Sequence, residues 1–238
     1  MPLPKIATPY YTLELPSTGE DIEYRPFLVK EEKILILAME TQDTKQITKA
    51  IKDVIKSCVK SKVKVEELPT FDIEYLFLNI RGKSVGEEVE VKIICPDDGE
   101  TEVPVTIAID EIKIKKNPDH KRDIKLDDTL TMRMKYPSLD QFVSENFDMN
   151  ENLGIEKTFD LIASCVETIY NEDEAWNSAD VTKKELLEFL EQLSTSQFKD
   201  IEKFFDTMPK LSHTIDITNP KTKKKSEVVL EGISSFFA

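Results

Sequence analysis

The chain has 238 residues, 39% of them hydrophobic and 33% charged, with 46 acidic against 32 basic side chains and a formal net charge of −14. This is the composition of a globular protein with a heavily solvated surface, and it argues against two partners: nucleic acid, whose phosphates need a basic excess, and an anionic membrane surface. No apolar run approaches the roughly 20 residues of a spanning helix, and Met1-Pro-Leu-Pro-Lys-Ile6 lacks the basic start and apolar core of a secretory signal.

In chain order, Tyr11, Leu13 and Leu15 alternate with polar residues, Pro16-Ser-Thr-Gly19 supplies turn chemistry, and Ile22 and Tyr24 resume the alternation. That predicts a hairpin, ended or edged by Pro26. Helices are expected over residues 29–40 and 43–59, the second with Ile47, Ile51, Val54, Ile55, Cys58 and Val59 on one face. Leu68-Pro69-Thr70 opens a third helix, with Thr70 as N-cap and with Asp72 and Glu74 suiting the first-turn dipole. Its centre, Tyr75-Leu-Phe-Leu78, is apolar almost all round, so this should be the most buried helix of its half. Gly86 is a left-handed stop.

Val89, Val91 and Ile93 alternate on one strand and Val103, Val105, Ile107 and Ile109 on its return, around the turn Cys95-Pro-Asp-Asp-Gly99. Ile112 and Ile114 continue the pattern, and Leu130, Met132 and Met134 read as a further strand. Residues 115–128, charged and poor in apolar side chains, read as a loop or linker.

The second half reads as mainly helical. Ser138 to Gln141, Thr182 to Glu185 and Ser194 to Gln197 are capping boxes. Ile155, Phe159, Ile162, Val166 and Ile169 form the stripe of one helix. Residues 186–193 form a second, and Phe198, Ile201, Phe204, Phe205 and Met208 line a third, closed by Pro209. Strands over residues 213–217 and 227–230 flank the basic loop 219–225. The expected fold is α+β: helices packed with antiparallel β-hairpins in two similarly built halves. The N-terminal α+β region is residues 1–136, and the C-terminal helical region ending in a hairpin is residues 137–238.

Candidate chemistry is sparse. Cys58, Cys95 and Cys165 are odd in number and far apart with no CxxC pair, which points to a reducing compartment and a cytoplasmic site of synthesis. His120 and His213 lack the context of a catalytic triad, and the scattered glycines make neither a P-loop nor GxGxxG. Asp148-Met-Asn-Glu-Asn-Leu-Gly154 fails as a calcium loop, because Leu153 stands where Gly is needed and Phe159 where the bidentate Glu belongs. Cys95 has no second thiolate or histidine beside it for zinc. No metal, cofactor or small-molecule substrate is therefore expected. The lysines at 221 and 223–225 either solubilise a loop tip or dock on an acidic surface. Phe236 and Phe237 either fold back or insert into a partner.

Several stretches resemble one family. These are Tyr24-Arg-Pro-Phe-Leu-Val-Lys-Glu-Glu-Lys33, Leu68-Pro-Thr-Phe-Asp-Ile-Glu-Tyr-Leu-Phe-Leu78, Arg81-Gly-Lys-Ser-Val-Gly-Glu87, Lys184-Glu-Leu-Leu-Glu-Phe-Leu190, Phe204-Phe-Asp-Thr-Met-Pro-Lys-Leu211 and Glu231-Gly-Ile-Ser-Ser-Phe-Phe237. In this order they resemble the baseplate hub subunits of T-even-like contractile-tailed bacteriophages over nearly the whole chain. The resemblance implies a non-enzymatic protein needed to build the central hub from which the tail tube grows. It would act with other hub or tape-measure proteins, in the virion baseplate and, during assembly, in the host cytoplasm. Some relatives carry paired cysteines at the hairpin turns; Asp98 and Asn219-Pro-Lys-Thr222 depart from that pattern, which further weakens metal binding here.

Partner-binding candidates are Arg25, Phe27, Arg81, Lys83, Glu87, Phe236 and Phe237, each with a local structural role as its rival. A transient chaperone for the tape-measure or hub proteins, absent from the mature virion, is the alternative, and the acidic charge suits it. A hub-associated hydrolase is a third reading, for which no acid–base signature stands in the sequence.

Overall fold

In a computed structural model of the chain, residues 6–61, 63–138, 141 and 154–236 are described. The fold is α+β, with several small antiparallel sheets among the described residues. Two compact units emerge: unit 1 is Met1–Lys115 with Lys210–Ala238, and unit 2 is Lys116–Pro209. Sequence alone predicts one boundary after residue 136, whereas here the C-terminal hairpin returns to the first unit. The cause is strand pairing: Leu211 pairs with Ile114, a contact that composition along the chain does not reveal.

In unit 1, β1 (Tyr11–Glu14) and β2 (Asp21–Tyr24) form the expected hairpin with Leu13 opposite Ile22. Its turn is fastened to α3 (Thr70–Val85), since Ser17 donates both its N–H, at 3.1 Å, and its hydroxyl to the Asp72 carboxylate. Asp72 is fully buried, so its charge serves this contact between elements. Thr70 is the first helical residue and Pro69 holds the cap position, which corrects the expectation that Thr70 caps the helix. Phe71, Ile73, Leu76, Phe77, Leu78 and Ile80 bury α3 nearly all round, as its apolar centre predicts.

Helices α1 (Val29–Glu40) and α2 (Thr44–Cys58) pack on each other. Asp43 caps α2, accepting from the Lys45 N–H at 2.9 Å. Ala50, Val54, Ile55 and Cys58 are its buried face.

Strands β3 (Glu88–Ile94) and β4 (Glu102–Ala108) pair alone, with Val91 opposite Val105. β5 (Lys113–Lys115) joins a separate sheet in which β10 (Lys210–Thr218) lies between β5 and β11 (Lys225–Glu231). Leu78, Val91, Ile93, Ile107, Ile112, Leu211, Ile217 and Phe236 share one apolar core. The turns of the β3–β4 and β10–β11 hairpins meet. Asn219 Nδ2 donates to Asp97 Oδ1 at 3.0 Å and Asp98 Oδ2 at 2.9 Å, and the Thr222 hydroxyl donates to Asp97. Hydrogen bonds thus clasp the two turns.

Unit 2 contains one four-stranded antiparallel sheet in the order β6 (Asp123–Lys125), β7 (Thr131–Met134), β8 (Val166–Tyr170), β9 (Ala175–Asn177). Helices α4 (Ile155–Cys165), α5 (Lys183–Leu190) and α6 (Thr195–Thr207) accompany it. Three expectations change here. The loop over residues 115–128 contains β6, where Ile124 is the single buried side chain of a charged tripeptide. The stripe from Ile155 to Ile169 is not one helix, because α4 ends at Cys165 and Val-Glu-Thr-Ile-Tyr continues as a strand. Among the described residues β8 therefore stands among the helices of this region, and β9 completes the sheet. Both capping boxes at Thr182–Glu185 and Ser194–Gln197 form as expected. Ser138 and Gln141 exchange the bonds of a third, and residues 142–153 after it lie outside the described residues.

Candidate interaction surface

The segment before α1 is locked to three elements. The Arg25 N–H donates to the Cys58 carbonyl at 3.0 Å, and its guanidinium donates to Ser57 O and Glu31 Oε1, each at 2.9 Å. Arg25 and Glu31 side chains are only 12% and 3% exposed. Glu31 also accepts the Leu28 N–H at 2.9 Å, which caps α1, and lies 3.2 Å from Lys30 Nζ. Burial alone would raise the Glu31 pKa, but the Arg25 hydrogen bond, with those of Leu28 and Lys30, holds it below the ordinary glutamate value. The buried Phe27 donates its N–H to Ser84 Oγ of α3 at 2.9 Å. Arg25 and Phe27, expected at a partner surface, therefore position α1.

What α1 then presents is unusual. Its buried side chains are Glu31 and Ala38, two turns apart on one side. The opposite side carries Val29 at 80% and Ile36 and Leu37 at 51% exposure, with Met39 at 56% and Ile34 at 45% on the flanks. A helix whose small Ala38 faces inward while five large apolar side chains face solvent is a docking face in the physical sense, because a patch of this kind costs solubility unless covered. Neighbouring α2 adds charge: Lys45, Lys49, Lys52 and Lys56 recur at helical spacing along one side, against one acidic residue in the helix, Asp53.

A family model described as T4 bacteriophage base plate protein matches residues 8–238. The chain belongs to this family. No curated protein and no solved structure matches it. As a T4-like base plate protein it has a structural role in the tail baseplate, among other baseplate proteins.

For a base plate protein the remaining candidates sort by burial. Lys83 is ion-paired with Glu87 and lies 5.3 Å over the Tyr11 ring, at the end of α3. Arg81 is half-buried on the same helix. Phe236 is 1% exposed in the unit 1 core, the first of the two alternatives for this side chain. Phe237 lies outside the described residues. All three cysteines are free and buried, and burial raises the thiol pKa of Cys58 to about 11 and of Cys165 to about 12. Among the described residues no group of three His, Cys, Asp or Glu is placed to hold a metal ion, and no helix is long and apolar enough to cross a membrane.

The apolar face of α1 is the feature missed from sequence. Its signal was present in Ile34-Leu-Ile-Leu-Ala-Met39, which alternates with nothing polar and would ordinarily be assigned to a core.

Proposed function

We propose that this base plate family protein is a non-enzymatic subunit of the baseplate hub, needed to assemble the centre from which the tail tube grows. The observation that carries the proposal is the α1 face: a structural protein of the baseplate holds five large apolar side chains in solvent on a helix rigidly anchored through Arg25, Glu31 and Phe27. Such a face fits retention by neighbouring hub or tape-measure proteins. Quantitative mass spectrometry of purified particles beside infected-cell lysate tests it, with stoichiometric signal in particles expected.

A second reading draws support from the net charge of −14: a transient chaperone that keeps hub or tape-measure proteins soluble and then leaves. Signal in lysate with none in particles would establish that reading and remove the first.

A further inference from the structure

The face on α1 and the lysine row on α2 belong to one helical hairpin, and together they restrict what can cover it. The hairpin, residues 29–58, contains six lysines and five acidic side chains, and its α2 alone contains four lysines and one acid, in a chain that otherwise has 41 acidic and 26 basic side chains. A basic helix beside exposed apolar residues thus sits in an otherwise strongly acidic molecule.

We propose that the α1–α2 hairpin docks an acidic amphipathic helix of another baseplate protein, whose apolar side chains cover Val29, Ile36, Leu37 and Met39 and whose carboxylates face Lys45 and Lys49 of α2. The proposal rests on the hub-subunit reading and names the partner class for that same surface. A second copy of the chain fits less well for two reasons. An isologous contact would set this patch against itself, so the lysines of α2 would meet no row of carboxylates. Laying the hairpin on the acidic remainder of another copy would be heterologous, and such a contact propagates into open assemblies unless its rotation closes. A helical partner is favoured over an extended one because α1 offers ridges and grooves of side chains and no free strand edge.

The test is site-specific photo-crosslinking in infected cells, with a photoreactive amino acid at Leu37 and, as control, at Val229, an exposed residue of β11. The expected adduct at Leu37 joins a segment of another baseplate protein in which acidic and apolar residues recur at helical spacing; the control gives none with that segment. Ile36→Ser with Leu37→Ser, and separately Lys45→Glu with Lys49→Glu, should each reduce incorporation into particles by roughly tenfold while the purified proteins keep their circular dichroism and Tm. These residues are exposed, so the variants keep their cores. An adduct with another copy of the chain, an adduct with a basic segment, or normal incorporation of both double variants would overturn the proposal. The hub-subunit reading fails separately, through absence of the unaltered protein from particles.

Discussion

Arg25 and Glu31 form a pair whose loss should be felt well beyond two residues. Both are almost buried, and Glu31 at once caps α1 and receives the guanidinium that holds α2. Removing one partner leaves the other charge desolvated, so Arg25→Ala should cost about 3 kcal/mol in urea unfolding. The folded-state pKa of Glu31 is lowered, so its stabilisation is complete above the ordinary glutamate value near ~4.3 and is lost as pH falls through the folded value. Glu31→Gln should therefore be less stable at neutral pH and should flatten the acid limb; an acid limb of unchanged slope would contradict the assignment.

His120 in unit 2 contributes through its neutral form, with the same sign in pH. Its Nδ1 lies 3.0 Å from Thr207 Oγ1 and its Nε2 3.0 Å from Tyr136 Oη. The Thr207 hydroxyl already donates to Lys203 O at 2.6 Å, so Nδ1 carries the proton and Nε2 accepts from Tyr136. Burial, and then Arg122, lower its pKa. The unfolded chain takes up a proton near pH ~6.5 before the folded one does, so stability is full above that value and declines as pH falls toward the folded pKa. The urea midpoint should fall over this interval, and His120→Gln should remove that part of the slope. An imidazole that titrates at its ordinary value by NMR would refute this.

At the scale of elements, Gly86 decides how α3 becomes β3. With φ of 135° and ψ of 152° it occupies backbone space that only glycine enters readily. Gly86→Ala meets no neighbouring atom within 4 Å, so any loss is backbone strain, expected at about 1–3 kcal/mol by denaturant unfolding. A change below about 0.5 kcal/mol, the range of ordinary surface substitutions, would mean that the turn relaxes at no cost.

Gly86, the first hairpin, the bounds of α1 and the capping boxes at Thr182 and Ser194 were legible because each depends on residues within a few positions of one another. Val166 to Tyr170 was misread because Val166 and Ile169 satisfy a helical spacing from Ile162 as well as they satisfy a strand, and the pairing with β7 that settles the matter comes from more than 30 residues away. The apolar face of α1 was illegible for another reason: apolar residues announce burial without saying whether their cover is this chain or another.

For the whole molecule, unit 2 has its own sheet and its own core, built on Met132, Met134, Ile162, Ile169, Leu190, Ile201 and Phe204. Residues 116–209 alone should therefore unfold cooperatively, with dispersed amide resonances. Residues 1–115 alone should not, because they lack Leu211, Ile217 and Phe236 from the core they share with the C-terminal hairpin. Cooperative melting of residues 1–115 at the intact protein's temperature would show that β10 adds little to unit 1.

The pairing of β10 with β5 also sets an order in time. A ribosome delivers α1, α2 and α3 first, yet the strands that complete their unit emerge last, after all of unit 2 has been made. A nascent chain halted before Lys210 leaves unit 1 without Leu211, Ile217 and Phe236, while unit 2 is already whole. Translation read through the final hairpin thus becomes a condition for the docking helix to be held in its finished setting, so truncated products are poorly equipped to compete for places in a growing tail.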